Sequence, residues 1–292
     1  MDPNATGDTS TSKIPIGVPS IDSRLRGGIR PGTTLLAMGP FGTGHHEFLR
    51  TIAILHGNWQ AESDLFELAY GEVSNNVRQP SQVRYLSIND SETRFQRNLH
   101  DTGSSEWVDT ALEHISFHSL ANDVADLGPV KPAEKGTGFT YESKEERPSD
   151  KYQQVFRRFD DLIEEVPGEI AIVDSISDFL PITSKFLDPM DLYFISQTLC
   201  HVAAESNSIL IAGADSELLT ERERALLKRT FEGVLNFGWF GQGSQQRRTM
   251  TVTKFPEFWR EADPNGRVTF DLDIDRDRFG ISSTEKIPPS KL

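Results

Sequence analysis

With a single cysteine, Cys200, the chain of 292 residues cannot close an intramolecular disulfide or build a multi-cysteine zinc site. Cys200 falls inside a helical pattern, which predicts a buried and inert thiol. Basic residues are also scarce. The 30 Lys and Arg are outnumbered by 44 Asp and Glu, leaving a net charge of −14 and a pI near 5.0. Nucleic-acid phosphates need clustered positive charge, so non-specific nucleic-acid binding is disfavoured, and Arg247-Arg248 is too small a cluster to change that. No apolar run is long enough to span a bilayer, and the stretch from Met1 to Lys13 lacks an apolar signal segment. A cytoplasmic protein with no membrane contact is therefore expected. Low hydrophobic content (36%) beside high charge can mean disorder, but here the apolar runs are periodic and well spaced. That favours a folded domain with an acidic surface, of a kind that also suits high salt. No internal repeat is present.

Apolar, β-branched runs recur at Thr33–Met38, Val83–Ile88, His114–Phe117, Ile170–Val173, Ile209–Ala212, Gly233–Phe237 and Thr249–Thr253. Helical patterns lie between several of them. Lys151–Val166 places Val155, Phe159, Leu162, Ile163 and Val166 on one face, and Pro167-Gly168 stops it. A second helix starts with Asp188 as N-cap and Pro189 at its first position, and runs to Asn207. This alternation predicts an α/β fold with a mainly parallel sheet covered by helices. Ile170–Val173 and Ile209–Ala212 are short and apolar throughout, as central strands buried on both faces should be. A single domain over 14–281 is expected, with tails at 1–13 and 282–292. The stretch 119–150, poor in large apolar residues, is expected to be a mobile surface insertion. Asp271, Asp273 and Asp275 have calcium-loop spacing, but Arg276 stands where that loop needs Gly. Val268, Phe270, Leu272 and Ile274 alternate with them, which predicts a strand with an acidic outer face. Glu221-Arg222-Glu223-Arg224 is expected to be a solvated helix face.

The run Gly39-Pro40-Phe41-Gly42-Thr43-Gly44-His45-His46 has the spacing of a phosphate-binding loop, G-x-x-x-x-G-K-[ST], between a strand and a helix. Backbone N–H groups of such a loop close around phosphates at a helix N-terminus. Its Lys neutralises the β- and γ-phosphates, and its hydroxyl holds Mg²⁺. Here His45 and His46 take those two places. An unperturbed imidazole is mostly uncharged at neutral pH and shorter than Lys, so His45 would be a weak phosphate ligand. Adjacent residues at a helix start are expected to point apart, which disfavours a metal shared by the two histidines.

These pieces together resemble the KaiC-like branch of the RecA superfamily. The leader Ile14-Pro15-Ile16-Gly17-Val18-Pro19-Ser20-Ile21-Asp22, followed by Gly27-Gly28-Ile29-Arg30-Pro31-Gly32, is similar to that family's entry motif. Ile170-Ala171-Ile172-Val173-Asp174-Ser175 resembles its Walker B strand. Glu232-Gly233-Val234-Leu235 and Thr251-Val252-Thr253-Lys254-Phe255-Pro256 resemble two later strands. The resemblance runs from about Ile14 to Ile281 without the insertion. Gly42-Thr43-Gly44-His45-His46-Glu47-Phe48 is closer still to an HTR-like subgroup of haloarchaea with a degenerate Walker A motif.

The resemblance implies a role for each matching position. Gly39, Gly42, Thr43, Gly44, His45 and His46 would form a degenerate nucleotide-binding loop. Asp174 would hold Mg²⁺. Asn89 and Asp90 stand where the family has paired Glu, leaving Asp90 as a shifted base. Lys254 would reach a neighbouring subunit's nucleotide, while Pro256 replaces an Arg that stabilises the γ-phosphate in trans. Loss of such an Arg alone costs about 10³–10⁵ in rate. The expectation is a catalytically impaired, pseudo-ATPase protein acting as a regulatory, signalling or scaffolding module on an unknown protein partner. It would require no cofactor, although residual ATP, ADP and Mg²⁺ binding and homo-oligomerisation stay open. One alternative is an active ATPase or autokinase using His45, Asp90 and Asp174. The other is a DNA recombination accessory protein.

Overall fold

The computed structural model of the protein describes residues 12–71, 77–128, 130–132, 139–141, 150–164, 170–180, 189–241, 246–262, 267–275 and 278–287. Each of the seven apolar runs forms a strand: β1 (Thr34–Gly39), β2 (Val83–Ser87), β3 (Ile115–Ser119), β6 (Ile170–Asp174), β7 (Ile209–Asp215), β8 (Gly233–Phe240) and β9 (Arg247–Lys254). With β10 (Arg267–Asp275) and β11 (Arg278–Ile287) they make one nine-stranded sheet of order β11-β10-β9-β8-β1-β7-β6-β2-β3. From β8 to β3 every neighbouring pair is parallel. The β9, β10 and β11 extension is antiparallel.

β1 is buried at all six positions, as the middle of a sheet covered on both sides requires. Its side chains alternate between two cores. Leu35 and Ala37 join Phe48, Leu49 and Ile52 of the helix His45–Ala61. Leu36 and Met38 face the other way and join Phe159, Leu199 and Leu227. Those three come from the helices Asp150–Glu164, Pro189–Glu205 and Glu221–Thr230, which cover the second face. The period of two along one strand thus divides the apolar residues between two helical layers.

The leader has a structural job. The Asp22 carboxylate accepts the backbone N–H groups of Ile16, Gly17 and Val18 at 2.7, 3.0 and 3.1 Å, fixing the turn that delivers the chain to the sheet. Lys13 donates to the Leu25 carbonyl and pairs with Glu257 at 3.2 Å. At the other end β11 continues past Ile281 to Ile287. Within 119–150 the described parts are a short helix, Ala121–Ala125, and two antiparallel strands, β4 (Val130–Pro132) and β5 (Phe139–Tyr141). The rest of that stretch lies outside the described residues.

Two local readings change. Glu223 is buried, because its carboxylate accepts the Thr220 N–H and hydroxyl at 2.7 Å in a capping box rather than facing water. Asp271 of β10 is also buried, paired with Arg247 of β9 at 2.9 Å, whereas Asp273 is exposed.

Candidate functional site

The parallel register brings the ends of β1, β6 and β7 together at one edge of the sheet. Gly39 stands opposite Asp215, and Ser87 of β2 stands opposite Asp174. Carboxyl ends of parallel strands are where open α/β sheets bind ligands. The loop from Pro40 to Gly44 leaves β1 there and feeds the helix His45–Ala61, with Gly44 as its N-cap at φ +105°. A side chain at Gly44 would also strike Ile274 of β10, since a Cβ there lies 2.2 Å from Ile274 Cδ1. The loop is tied from several sides. Thr43 Oγ1 donates to the Pro40 carbonyl at 2.7 Å, Arg248 Nε donates to the Gly42 carbonyl at 2.9 Å, and the Phe41 N–H donates to Glu217 at 3.3 Å.

His45 and His46 do not point apart. Both Nε2 atoms reach the same carboxylate oxygen, Oδ1 of Asp215, at 3.0 and 3.1 Å, with ring centroids 4.2 Å apart. Both rings thus face the Asp215 carboxylate at the end of β7. Nδ1 of His46 also lies 2.6 Å from Oδ1 of Asp174, so this one imidazole spans two strand ends. The Tyr85 hydroxyl donates to the other Asp174 oxygen at 2.5 Å. Ser177 accepts the Asp215 N–H at 2.9 Å.

The charges follow from these contacts. Burial alone would lower the His46 imidazole, but the Asp174 and Asp215 carboxylates prevail and push it up to about 11. His46 is therefore an imidazolium at neutral pH. Burial opposes ionisation of Asp215 and Asp174, yet both carboxyls lie below the usual carboxylate range, Asp215 held there by His45 and His46, and Asp174 by His46, Arg50 and the Tyr85 hydroxyl. Asp178 goes the other way, raised to about 6 by burial and by its neighbours Asp174 and Asp215. Burial and the Asp174 charge hold the Tyr85 phenol well above its ordinary value, so it stays a donor.

Above this network opens a cleft of about 280 Å³, lined among others by His46, Arg50, Asn89, Asp90, Asp174 and Asp215. Asp90 is held by Arg94 at 2.9 Å and by Asn98 at 2.7 Å. Gly39, Gly42, Thr43, Gly44, His45, His46, Asp90 and Asp174 thus lie around one strand-end edge. Lys254 lies elsewhere: its ammonium donates to the carbonyls of Lys228 and Arg229 at 3.0 and 2.9 Å and to that of Phe231, closing the C-terminal end of the helix Glu221–Thr230. Pro256 opens the helix Pro256–Ala262 beside it. Cys200 is half-buried, and burial pushes its thiol up to about 11.

Asp215, Tyr85 and Arg50 were not singled out from the sequence. Asp215 had a signal: the apolar run from Ile209 continues through Gly213-Ala214 into an Asp, the same ending that marks Ile170–Asp174. Tyr85 and Arg50 have none, because only the folded sheet and helix bring them to Asp174.

No family model matches the sequence, and no curated protein matches it either. Solved structures do. The crystal structure of the KaiC-like protein PH0186 from Pyrococcus horikoshii OT3 superposes with a TM-score of 0.58 at 14% identity, covering 94% of this chain and all of that one (100%). The flagellar accessory protein FlaH from Methanocaldococcus jannaschii superposes with a TM-score of 0.55 at 14% identity, covering 91% of this chain and 95% of that one. At this identity the likeness is one of fold, and that fold is RecA-like. Among the described residues no helix is long and apolar enough to cross a membrane.

Proposed function

We propose that this chain is a RecA-like module whose phosphate and Mg²⁺ chemistry has been replaced by an internal network of imidazoles and carboxylates. It acts as a regulatory, signalling or scaffolding protein of the KaiC-like, HTR-like kind and not as an efficient ATPase. One observation carries this reading. The His46 imidazolium bridges Asp174 and Asp215, so the two carboxylates that could share a hydrated Mg²⁺ already hold a fixed cation. His45 has its Nε2 on Asp215 and lies fully buried, so it does not extend toward a γ-phosphate as a Lys would. Phosphoryl transfer depends on placed positive charge, and here that charge is spent within the protein. Residual binding of ATP or ADP falls to the loop N–H groups and Arg50.

Titration calorimetry of ATP and ADP with Mg²⁺, in low and molar KCl, tests this. The natural protein should turn over no ATP, and His45→Lys/His46→Thr should bind nucleotide more tightly than its parent. Robust Mg²⁺-dependent turnover abolished by Asp174→Ala would sink the reading. A second reading, an active ATPase or autokinase, draws support from the placement of Asp90, Arg50 and Asp174 on one open cleft. Background-level turnover between pH 5.5 and 8 removes it.

A further inference from the structure

We propose that His45 Nε2, His46 Nε2 and Asp215 Oδ1 form a binding site for a divalent transition metal of the zinc class, with Asp174 orienting His46 from behind. The inference goes beyond the loss of nucleotide chemistry and stands whether or not ATP binds.

Convergence is the first argument. Two ring nitrogens from adjacent residues meet one carboxylate oxygen at 3.0 and 3.1 Å, and three such atoms, one from each residue, all lie within 4.8 Å of one another. A tetrahedral zinc ion with bonds of about 2.0–2.2 Å sets its ligand atoms roughly 3.3–3.6 Å apart, so the two Nε2–Oδ1 pairs need to open by only a few tenths of an ångström. The far side of each ring also has a partner. His46 Nδ1 is anchored on Asp174 at 2.6 Å, which is the carboxylate–histidine arrangement that fixes a metal ligand's tautomer and raises its basicity. Asp174 is anchored in turn by the Tyr85 hydroxyl. His45 Nδ1 faces Thr43 Oγ1 at 3.5 Å, and Thr43 is itself fixed by donating to the Pro40 carbonyl at 2.7 Å. A metal ion at this point takes the place of the proton through which His46 Nε2 bridges to Asp215 in the metal-free protein, so binding releases a proton.

Access and selectivity follow from the surroundings. His45 is fully buried and Asp215 nearly so, but His46 is one-quarter exposed on the cleft floor, so an ion enters from there. With three protein ligands, a fourth position stays open to water or another small ligand. Imidazole nitrogens favour zinc, copper, iron or nickel, whereas Mg²⁺ prefers oxygen ligands and keeps its water.

The test uses chelator-treated full-length protein titrated with Zn²⁺, and with Co²⁺ as a coloured substitute, in millimolar Mg²⁺. One ion per chain is expected, with visible Co²⁺ bands of a low-coordinate nitrogen and oxygen site. Asp174→Asn should weaken Zn²⁺ binding by about 10–100-fold, and His46→Gln or Asp215→Asn should reduce it further. Should a variant fail to fold, long-range ¹H–¹⁵N spectra of the natural protein decide the matter. One equivalent of Zn²⁺ should shift the Nε2 signals of His45 and His46 and leave His56, His100, His114, His118 and His201 in place. Absence of 1:1 uptake by folded protein, shifts that fall on those other histidines, or unchanged affinity in folded variants would overturn the site.

Discussion

Nδ1 of His46 lies 2.6 Å from Oδ1 of Asp174, a contact between the second residue of the loop helix and the last residue of β6. Its other nitrogen reaches Asp215 at the end of β7, so one side chain of the degenerate loop binds two strand ends to each other.

His46→Gln should destabilise the protein by roughly 3 kcal/mol, because it leaves two buried carboxylates without their counter-charge. Urea unfolding measures this. In a double-mutant cycle with Asp174→Asn, the second change should cost less in the His46→Gln background than in the natural one. Additive losses would mean that the contact carries no coupling.

Gly44→Ala and Gly42→Ala should separate backbone strain from crowding. Both glycines have positive φ, +105° and +74°. A Cβ at Gly42 meets nothing within 4 Å, so the cost there should be about 1 kcal/mol from the backbone alone. At Gly44 the clash with Ile274 adds to it, and a total of about 2–4 kcal/mol is expected. Equal losses would refute the packing of Ile274 on the loop.

His56 sets a pH dependence. It is fully buried in the loop helix, and burial holds its imidazole down to about 4, below the ordinary 6.5. Below pH 6.5 the unfolded chain takes up a proton that the folded chain refuses. Stability should therefore fall with pH from about 6.5 to about 4, by up to about 1.4 kcal/mol per pH unit. Unfolding of His56→Leu, measured at the same pH values, should show a shallower decline; an identical slope would place the effect on other groups.

Lys254→Met should lower stability by about 1 kcal/mol, through the loss of three carbonyl contacts at the end of the helix Glu221–Thr230. Sedimentation of the variant should match that of the natural protein. A change of assembly state without loss of stability would instead return Lys254 to a subunit contact.

Local pattern already determined much of this protein. Short apolar β-branched runs, punctuated by helical periods, specify strands and helices because each repeat buries one face. The Gly39–His46 spacing between β1 and its helix specifies a tight loop, since Gly42 and Gly44 supply conformations that other residues avoid. The chemistry within that loop was decided elsewhere. Whether His45 and His46 diverge or converge depends on which strand lies beside β1, and the order β1-β7-β6 brings Asp215 and then Asp174 beneath them. Those acids stand 169 and 128 residues away in the chain. A sequence read residue by residue carries the ligands, but strand order chooses their partners, because charge pairing acts through distance in space and not along the chain.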